Sequence, residues 1–192
     1  NKKEPFKYYF GDMHFKALIP IGNNSRFTYS QFSGKDNLLL DFSEDEFPDI
    51  YFNWIWGNST KMMSWKYLPN SNYFIETILS NTDYTFNVDY FRTLKNNWGG
   101  IEEDINVNIN NVVNDVGMKQ NVHYHHSRTF KMKFGWNYKI INMQYIENSE
   151  NEGPIALESN PVIASVYYSN TIKPSLLLQI NAGFRFIFFN II

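Results

Sequence analysis

Apolar and polar residues alternate with a period of two over most of the chain. In the clearest stretch, residues 130–140, every second residue is apolar and the residues between are lysine, glycine or asparagine. Successive side chains of a β-strand point to opposite faces of the sheet, so this pattern predicts a strand with one aromatic face and one cationic, polar face. The apolar residues change parity at Ile140 and Ile141, which predicts a β-bulge or the end of the strand there.

The C-terminal part of the chain repeats this alternation. Over residues 176–188 one parity holds only Leu, Ile, Ala and Phe, and Gln179, Asn181, Gly183 and Arg185 lie on the other. The run of 13 residues is well above the usual strand length of about 5–6 residues. It would extend about 43 Å at ~3.3 Å per residue. This length favours a tilted barrel strand over a strand of a small sandwich.

Shorter alternating runs cover the rest of the chain and are separated by turn-forming residues. The runs are 11–21, 52–56, 84–90, 105–109 and 162–168, and clusters of Gly, Asn, Asp and Pro predict turns at 57–59, 69–72, 80–83, 96–100 and 114–117. The largest loop is predicted over residues 147–154. Helical periodicity is absent, so the expected fold is all-β: a small closed antiparallel β-barrel of roughly 8–12 strands with polar loops. It would form one domain over residues 1–192.

Composition narrows the possible classes of protein. The 192 residues include no cysteine, carry a net charge of −2, and are 43% hydrophobic and 18% aromatic. The absence of cysteine excludes a disulfide framework, a thiolate metal site and a cysteine nucleophile. A net charge near zero gives no signature of nucleic-acid binding. No apolar run is long enough for a transmembrane helix. No cofactor is expected.

Strands with one aromatic face and one polar face fit two kinds of protein. In a transmembrane β-barrel the aromatic face contacts lipid, and in a secreted soluble β-sandwich or barrel it forms the core. The residues expected to be lipid-facing or core are Phe130, Phe134, Trp136, Tyr138, Phe184, Phe186 and Phe188. The soluble alternative would bind ligands such as glycans through Trp54, Trp56 and Trp65, which straddle a predicted hairpin.

The last strand carries a resemblance to a known class of protein. The pattern Leu-x-Leu-x-Ile-x-Ala-Gly-Phe-Arg-Phe-Ile-Phe within residues 175–189 resembles the closing strand of bacterial outer-membrane β-barrel proteins, although Asn190 follows where that strand usually ends on the aromatic. The resemblance implies a protein of the cell outer membrane that is inserted by the barrel-assembly machinery and contacts membrane lipid. The implied role is non-enzymatic: surface exposure, adhesion or a narrow pore. The sequence does not identify a host or surface ligand.

Three of the four histidines lie within residues 123–126 and suggest two kinds of chemistry. His123 and His125 share a strand face and form a candidate metal-binding pair, although no carboxylate lies in this stretch. His125 and Ser127 form a candidate base and nucleophile. Their spacing resembles the His-x-Ser pair of outer-membrane lipid A deacylases, with Arg128 where that family has Asn. The resemblance implies a lipid-acting serine hydrolase as a third possible function, so enzymatic activity stays open, with a non-enzymatic role preferred.

Overall fold

Nine antiparallel β-strands make up the described part of the chain. The computed structural model describes residues 6–42, 50–95, 101–150 and 153–191. The strands are β1 (Phe6–Ile21), β2 (Ser25–Phe42), β3 (Ile50–Asn70), β4 (Tyr73–Lys95), β5 (Ile101–His125), β6 (Phe130–Ser149), β7 (Ile155–Ser159), β8 (Val162–Ile172) and β9 (Ile180–Asn190). The predicted all-β class is therefore confirmed.

The strands form one sheet in which neighbours in sequence are mostly neighbours in space. The order is β1-β2-β3-β4-β5-β6-β8-β9, and β7 pairs with β6. Among the described strands β1 and β9 are the two edges of this sheet, so the predicted closure into a barrel is not observed. The described strands also include no second sheet, so they do not form a two-sheet sandwich.

The nine strands fall within the predicted range of roughly 8–12, but most of them are longer than the alternating runs predict. Strands β2 to β6 have between 18 and 25 residues each. The predicted turn at 69–72 overlaps the observed turn between β3 and β4, whereas 57–59, 80–83 and 114–117 lie inside strands. The predicted turn at 96–100 lies outside the described residues. Asparagine and glycine in the middle of these strands do not end them, because both neighbouring strands continue to pair there.

The last strand is shorter than its pattern predicts. Strand β9 begins at Ile180 and has 11 residues. Leu176 and Leu178 lie in the connection between β8 and β9, where they face solvent. The predicted loop at 147–154 also begins later than expected, because β6 extends to Ser149.

The register of the sheet assigns each strand residue to one of two faces. Face A holds the even-numbered residues of β1–β4 and the odd-numbered residues of β5–β9, and face B holds the others. We call the half of the sheet that contains the end of β1 and the start of β2 the near half. The near half comprises residues 13–33, 59–83, 114–142 and 162–190, and the far half comprises the remaining described residues.

The polarity of both faces reverses between the two halves. In the near half face B is apolar and face A is polar, and in the far half face A is apolar and face B is rich in Asn and Asp. This reversal explains the parity change at Ile140 and Ile141. The predicted bulge or strand end is wrong, since β6 passes through these residues in unbroken register with β5.

The far half of face A holds a cluster of stacked aromatic side chains. Trp54 lies 5.2 Å from Trp56, 5.6 Å from Phe86 and 5.8 Å from Phe52 between ring centroids. Val88, which pairs with Trp54, is the only buried hydrophobic residue in the described part of the chain. Burial is not confined to this cluster, since Thr28, Ser64 and Asn121 are buried on the near half of face A.

Candidate functional site

The near half of face A is strongly cationic. Its strand residues include eight Lys and Arg, which we call the cationic strip, and two acidic residues, Glu76 and Asp115. The cationic strip consists of Lys16, Arg26, Lys66, Lys119, Lys131, Lys133, Lys139 and Arg185. Both carboxylates are paired: Lys66 contacts Glu76 at 3.2 Å and Lys139 contacts Asp115 at 2.9 Å.

A row of polar side chains crosses this face through consecutive strand pairs. Glu76 lies between Lys66 and Asn121 in register. The Asn121 amide donates to the Glu76 carboxylate at 3.0 Å. The Tyr167 hydroxyl in turn donates to the Asn121 carbonyl oxygen. Asn121 is only 6% exposed, so its polar atoms depend on these partners for hydrogen bonding. We call Lys66, Glu76, Asn121 and Tyr167 the polar row.

Gly135 allows the polar row to pass over β6. It lies in register between Asn121 on β5 and Tyr167 on β8. A Cβ atom at Gly135 would lie 2.7 Å from the Tyr167 hydroxyl oxygen. Arg185 and Lys133 approach the Tyr167 ring at 5.4 Å and 5.8 Å from its centroid. Only a residue without a side chain lets the tyrosine reach Asn121 beneath these two cations.

The apolar side of the near half is the second candidate surface. We call the Ala, Val, Leu, Ile, Met and aromatic residues on face B of the near half the apolar band. The seven aromatic residues that the sequence singles out all lie in it: Phe130, Phe134, Trp136, Tyr138, Phe184, Phe186 and Phe188. The only charged strand residues on this face of the near half are Lys61 and Asp83, at its border with the far half.

Polar side chains inside the apolar band bond to one another. The Gln120 amide donates to Thr77 at 3.3 Å, and its carbonyl oxygen accepts the Trp136 indole N–H at 3.2 Å. The Trp65 indole donates to Ser25 at 2.5 Å. These groups therefore need no solvent partner, which suits an apolar environment.

The two histidines of the candidate metal pair lie at the near end of β5. His123 and His125 share face A, as predicted, and their register partners on β6 are Lys133 and Lys131. In the described residues no group of three or more His, Cys, Asp or Glu side chains is placed to hold a metal ion. A cationic neighbourhood disfavours a metal cation, and the structure adds no third ligand to the pair.

Ser127 lies in the turn between β5 and β6, not on a strand beside His125. Its hydroxyl oxygen accepts the backbone N–H groups of Thr129 at 3.3 Å and Phe130 at 3.1 Å. The neighbouring His126 contacts the Tyr124 hydroxyl at 3.0 Å. Among the described contacts none joins Ser127 to His125, and Ser127 instead closes its own turn.

Replacement of Ser127 by alanine tests this role. Ser127→Ala removes two hydrogen bonds to backbone N–H groups and the contact with the Thr129 hydroxyl, and it is expected to lower the free energy of unfolding by about 0.5–1.5 kcal/mol. The measurement is the urea midpoint of the folded chain. Hydrolysis of an acylated lipid by the wild-type chain that disappears in Ser127→Ala would instead support the hydrolase hypothesis. Ser71→Ala, in the turn between β3 and β4, is the control for removing a turn serine.

The three tryptophans of the glycan hypothesis do not form one platform. All three lie on β3, with Trp54 and Trp56 on face A and Trp65 on face B. The predicted hairpin at 57–59 is absent, so the change of face along one strand separates Trp65 from the other two. Of the three tryptophans, only Trp54 and Trp56 lie together on one face, in the far-half aromatic cluster.

Two tyrosines on the far half of face A each donate to a carboxylate. The Tyr8 hydroxyl donates to Asp36 and the Tyr145 hydroxyl to Glu147, both at 2.5 Å. Each hydrogen bond to the carboxylate raises the pKa of its tyrosine above the usual value. Both hydroxyls therefore remain protonated donors at neutral pH.

The polar row is the feature that sequence reasoning misses. Its members come from β3, β4, β5 and β8, and no spacing along the chain links them. Compared with known proteins, the sequence matches no protein-family model and no curated protein. In the described residues no helix is long and apolar enough to cross a membrane.

Proposed function

We propose that this sheet is part of the wall of an integral outer-membrane β-barrel with a non-enzymatic role. The observation that supports this most directly is the apolar band beside the cationic strip. In the same near half, face B is apolar while face A carries eight Lys and Arg. A barrel wall has an apolar outer surface in lipid and a polar inner surface.

The height of the apolar band fits a bilayer. In β8 it covers a strand of 11 residues, or about 36 Å at ~3.3 Å per residue. At the tilt of about 40° that is usual for barrel strands, this gives a height of about 28 Å, close to the ~25 Å band of outer-membrane barrels. Asn170 is a polar residue within this strand, and its side-chain carbonyl oxygen accepts the Tyr168 hydroxyl at 2.7 Å.

Exposure of the apolar band favours lipid over a soluble core. Phe186 is 67% exposed, Val166 is 52% exposed and Phe134 is 43% exposed. Soluble monomers rarely expose a continuous apolar patch that crosses a whole sheet. A soluble β-protein would bury these residues beneath a second layer, which the described strands do not contain.

The edges of the sheet would be paired in the membrane. Unpaired backbone groups on β1 and β9 would each cost several kcal/mol in lipid, so both edges need a neighbouring strand there. The interior of a very small barrel is filled by side chains. Because most of the cationic strip lacks an ionic partner among described residues, a water-filled interior is more favourable than a packed one.

The short turns suggest an orientation. Three of the four connections at the near end, those after β1, β3 and β5, have three, two and four residues, and the fourth, between β8 and β9, has seven. Outer-membrane barrels have short turns on the periplasmic side and longer loops outside. The near end would therefore face the periplasm, and the far half with its aromatic cluster would extend beyond the bilayer on the outer side.

Fractionation of cells tests the proposal. The chain is expected in the outer-membrane fraction, resistant to a carbonate wash, and to migrate differently on gels before and after heating. Carbonate removes proteins bound only by charge but not those held by buried apolar surface. Recovery as a folded, soluble monomer without detergent would contradict the proposal and favour the secreted β-protein.

A further inference from the structure

Charge is sorted between the two halves of the fold although the whole chain is nearly neutral. The near half contains 11 Lys and Arg against three Asp and Glu, whereas the rest of the chain contains six against 16. The near half is therefore a cationic region, although the net charge of the whole chain is −2. The strand pairing brings its four sequence segments side by side.

Within this region the cations on face A are mostly unneutralised. Two of the eight are paired with carboxylates. Six have no ion-pair partner among the described residues: Lys16, Arg26, Lys119, Lys131, Lys133 and Arg185. Like charges on neighbouring strands destabilise a sheet unless a counter-ion is present. The strip is thus arranged to favour a bound anion.

The densest part of the strip lies on β6 and β9. Lys131 and Lys133 are two residues apart on one face of β6, and both are exposed. Ser169 lies in register between Lys133 and Gly183, which has no side chain to cover the site. Arg185 is next to Gly183 on the same face. An oxyanion over Gly183 would meet cations on two sides and a hydroxyl between them.

We propose that the cationic strip binds oxyanion-bearing solutes, with Lys131, Lys133 and Arg185 at its centre. This inference rests on the proposed function and names the solute class of the polar lumen: small molecules with phosphate or carboxylate groups. A free solute is favoured over a lipid headgroup, because the strip lies on the face opposite the apolar band. Rings of Lys and Arg are the usual selectors in anion pores.

Calorimetric titration with inorganic pyrophosphate tests the proposal on the full folded chain. Binding is expected to be saturable and to weaken as NaCl is raised, because salt screens exposed charges. The double variant Lys133→Gln, Arg185→Gln is expected to bind at least tenfold more weakly. Lys131→Gln removes an exposed cation without a described contact and is expected to bind severalfold more weakly. It tests the proposal independently if the double variant misfolds.

A matched control uses two cations outside the strip. Lys7 and Lys35 lie on face B of the far half, so Lys7→Gln, Lys35→Gln changes the net charge equally and should leave the affinity unchanged. Equal loss in this control, or unchanged binding in the variants of the strip, would overturn the proposal. So would absence of saturable binding, or binding only to anionic phosphatidylglycerol vesicles. The titration is carried out in whichever medium keeps the chain folded, detergent or buffer. Failure of the anion-binding proposal is therefore distinguishable from failure of the membrane proposal.

Discussion

Replacement of Phe186 by arginine is expected to prevent stable insertion into lipid, whereas the same change at Ile187 is expected to be tolerated. The two residues are adjacent on β9 and are similarly exposed, at 67% and 65%. Phe186 lies in the apolar band and Ile187 lies on face A. Arginine near the middle of a bilayer costs about 2–4 kcal/mol on the lipid side of a barrel, while on a polar lumen it remains hydrated.

This pair of variants distinguishes lipid contact from general damage to the strand. The measurement is the fraction of chain that folds into vesicles, followed by heat-modifiable migration and by guanidinium unfolding in the bilayer. Phe186→Arg is expected to lower the free energy of unfolding by about 2–4 kcal/mol relative to Ile187→Arg. Equal behaviour of the two variants would show that face B does not contact lipid.

Replacement of Gly135 by valine is expected to destabilise the fold by breaking the polar row. The new side chain would crowd β5 and the space where Tyr167 passes over β6, since even a Cβ atom would lie 2.2 Å from the Gln120 backbone oxygen and 2.7 Å from the tyrosine oxygen. Overpacking of this kind costs about 1–3 kcal/mol. Displacement of Tyr167 would also leave the buried Asn121 without one of its hydrogen-bond partners.

Gly11→Val supplies the matched control for this prediction. Gly11 also lies inside a strand, but a Cβ atom there would meet no atom within 4 Å. Valine has the higher strand propensity, so this variant should be at least as stable as the wild type. Urea unfolding midpoints in detergent provide the comparison. If Gly135→Val were as stable as Gly11→Val, the polar row would have no structural role.

Local sequence pattern identifies the aromatic surface residues, but it identifies neither the polar row nor the position of Ser127. Phe134 and Phe186 share a face because parity within each strand and antiparallel pairing together place them there. Lys66 and Tyr167 belong to one row only because four strand pairings bring them into register. Ser127 differs from its predicted position because the strand ends two residues earlier, at His125.

The amino-acid sequence by itself determined the β class and the division of each strand into two faces, because side-chain direction alternates with every residue. It did not determine strand length. The polar clusters at 57–59, 80–83 and 114–117 have turn composition, yet they lie where both faces reverse polarity and the strands continue. Only the tertiary structure decided that the strands continue there, because the reversal becomes visible when the faces of neighbouring strands change polarity at the same level of the sheet. The cationic strip likewise exists only after pairing, because its charges come from segments far apart in a chain whose net charge is −2.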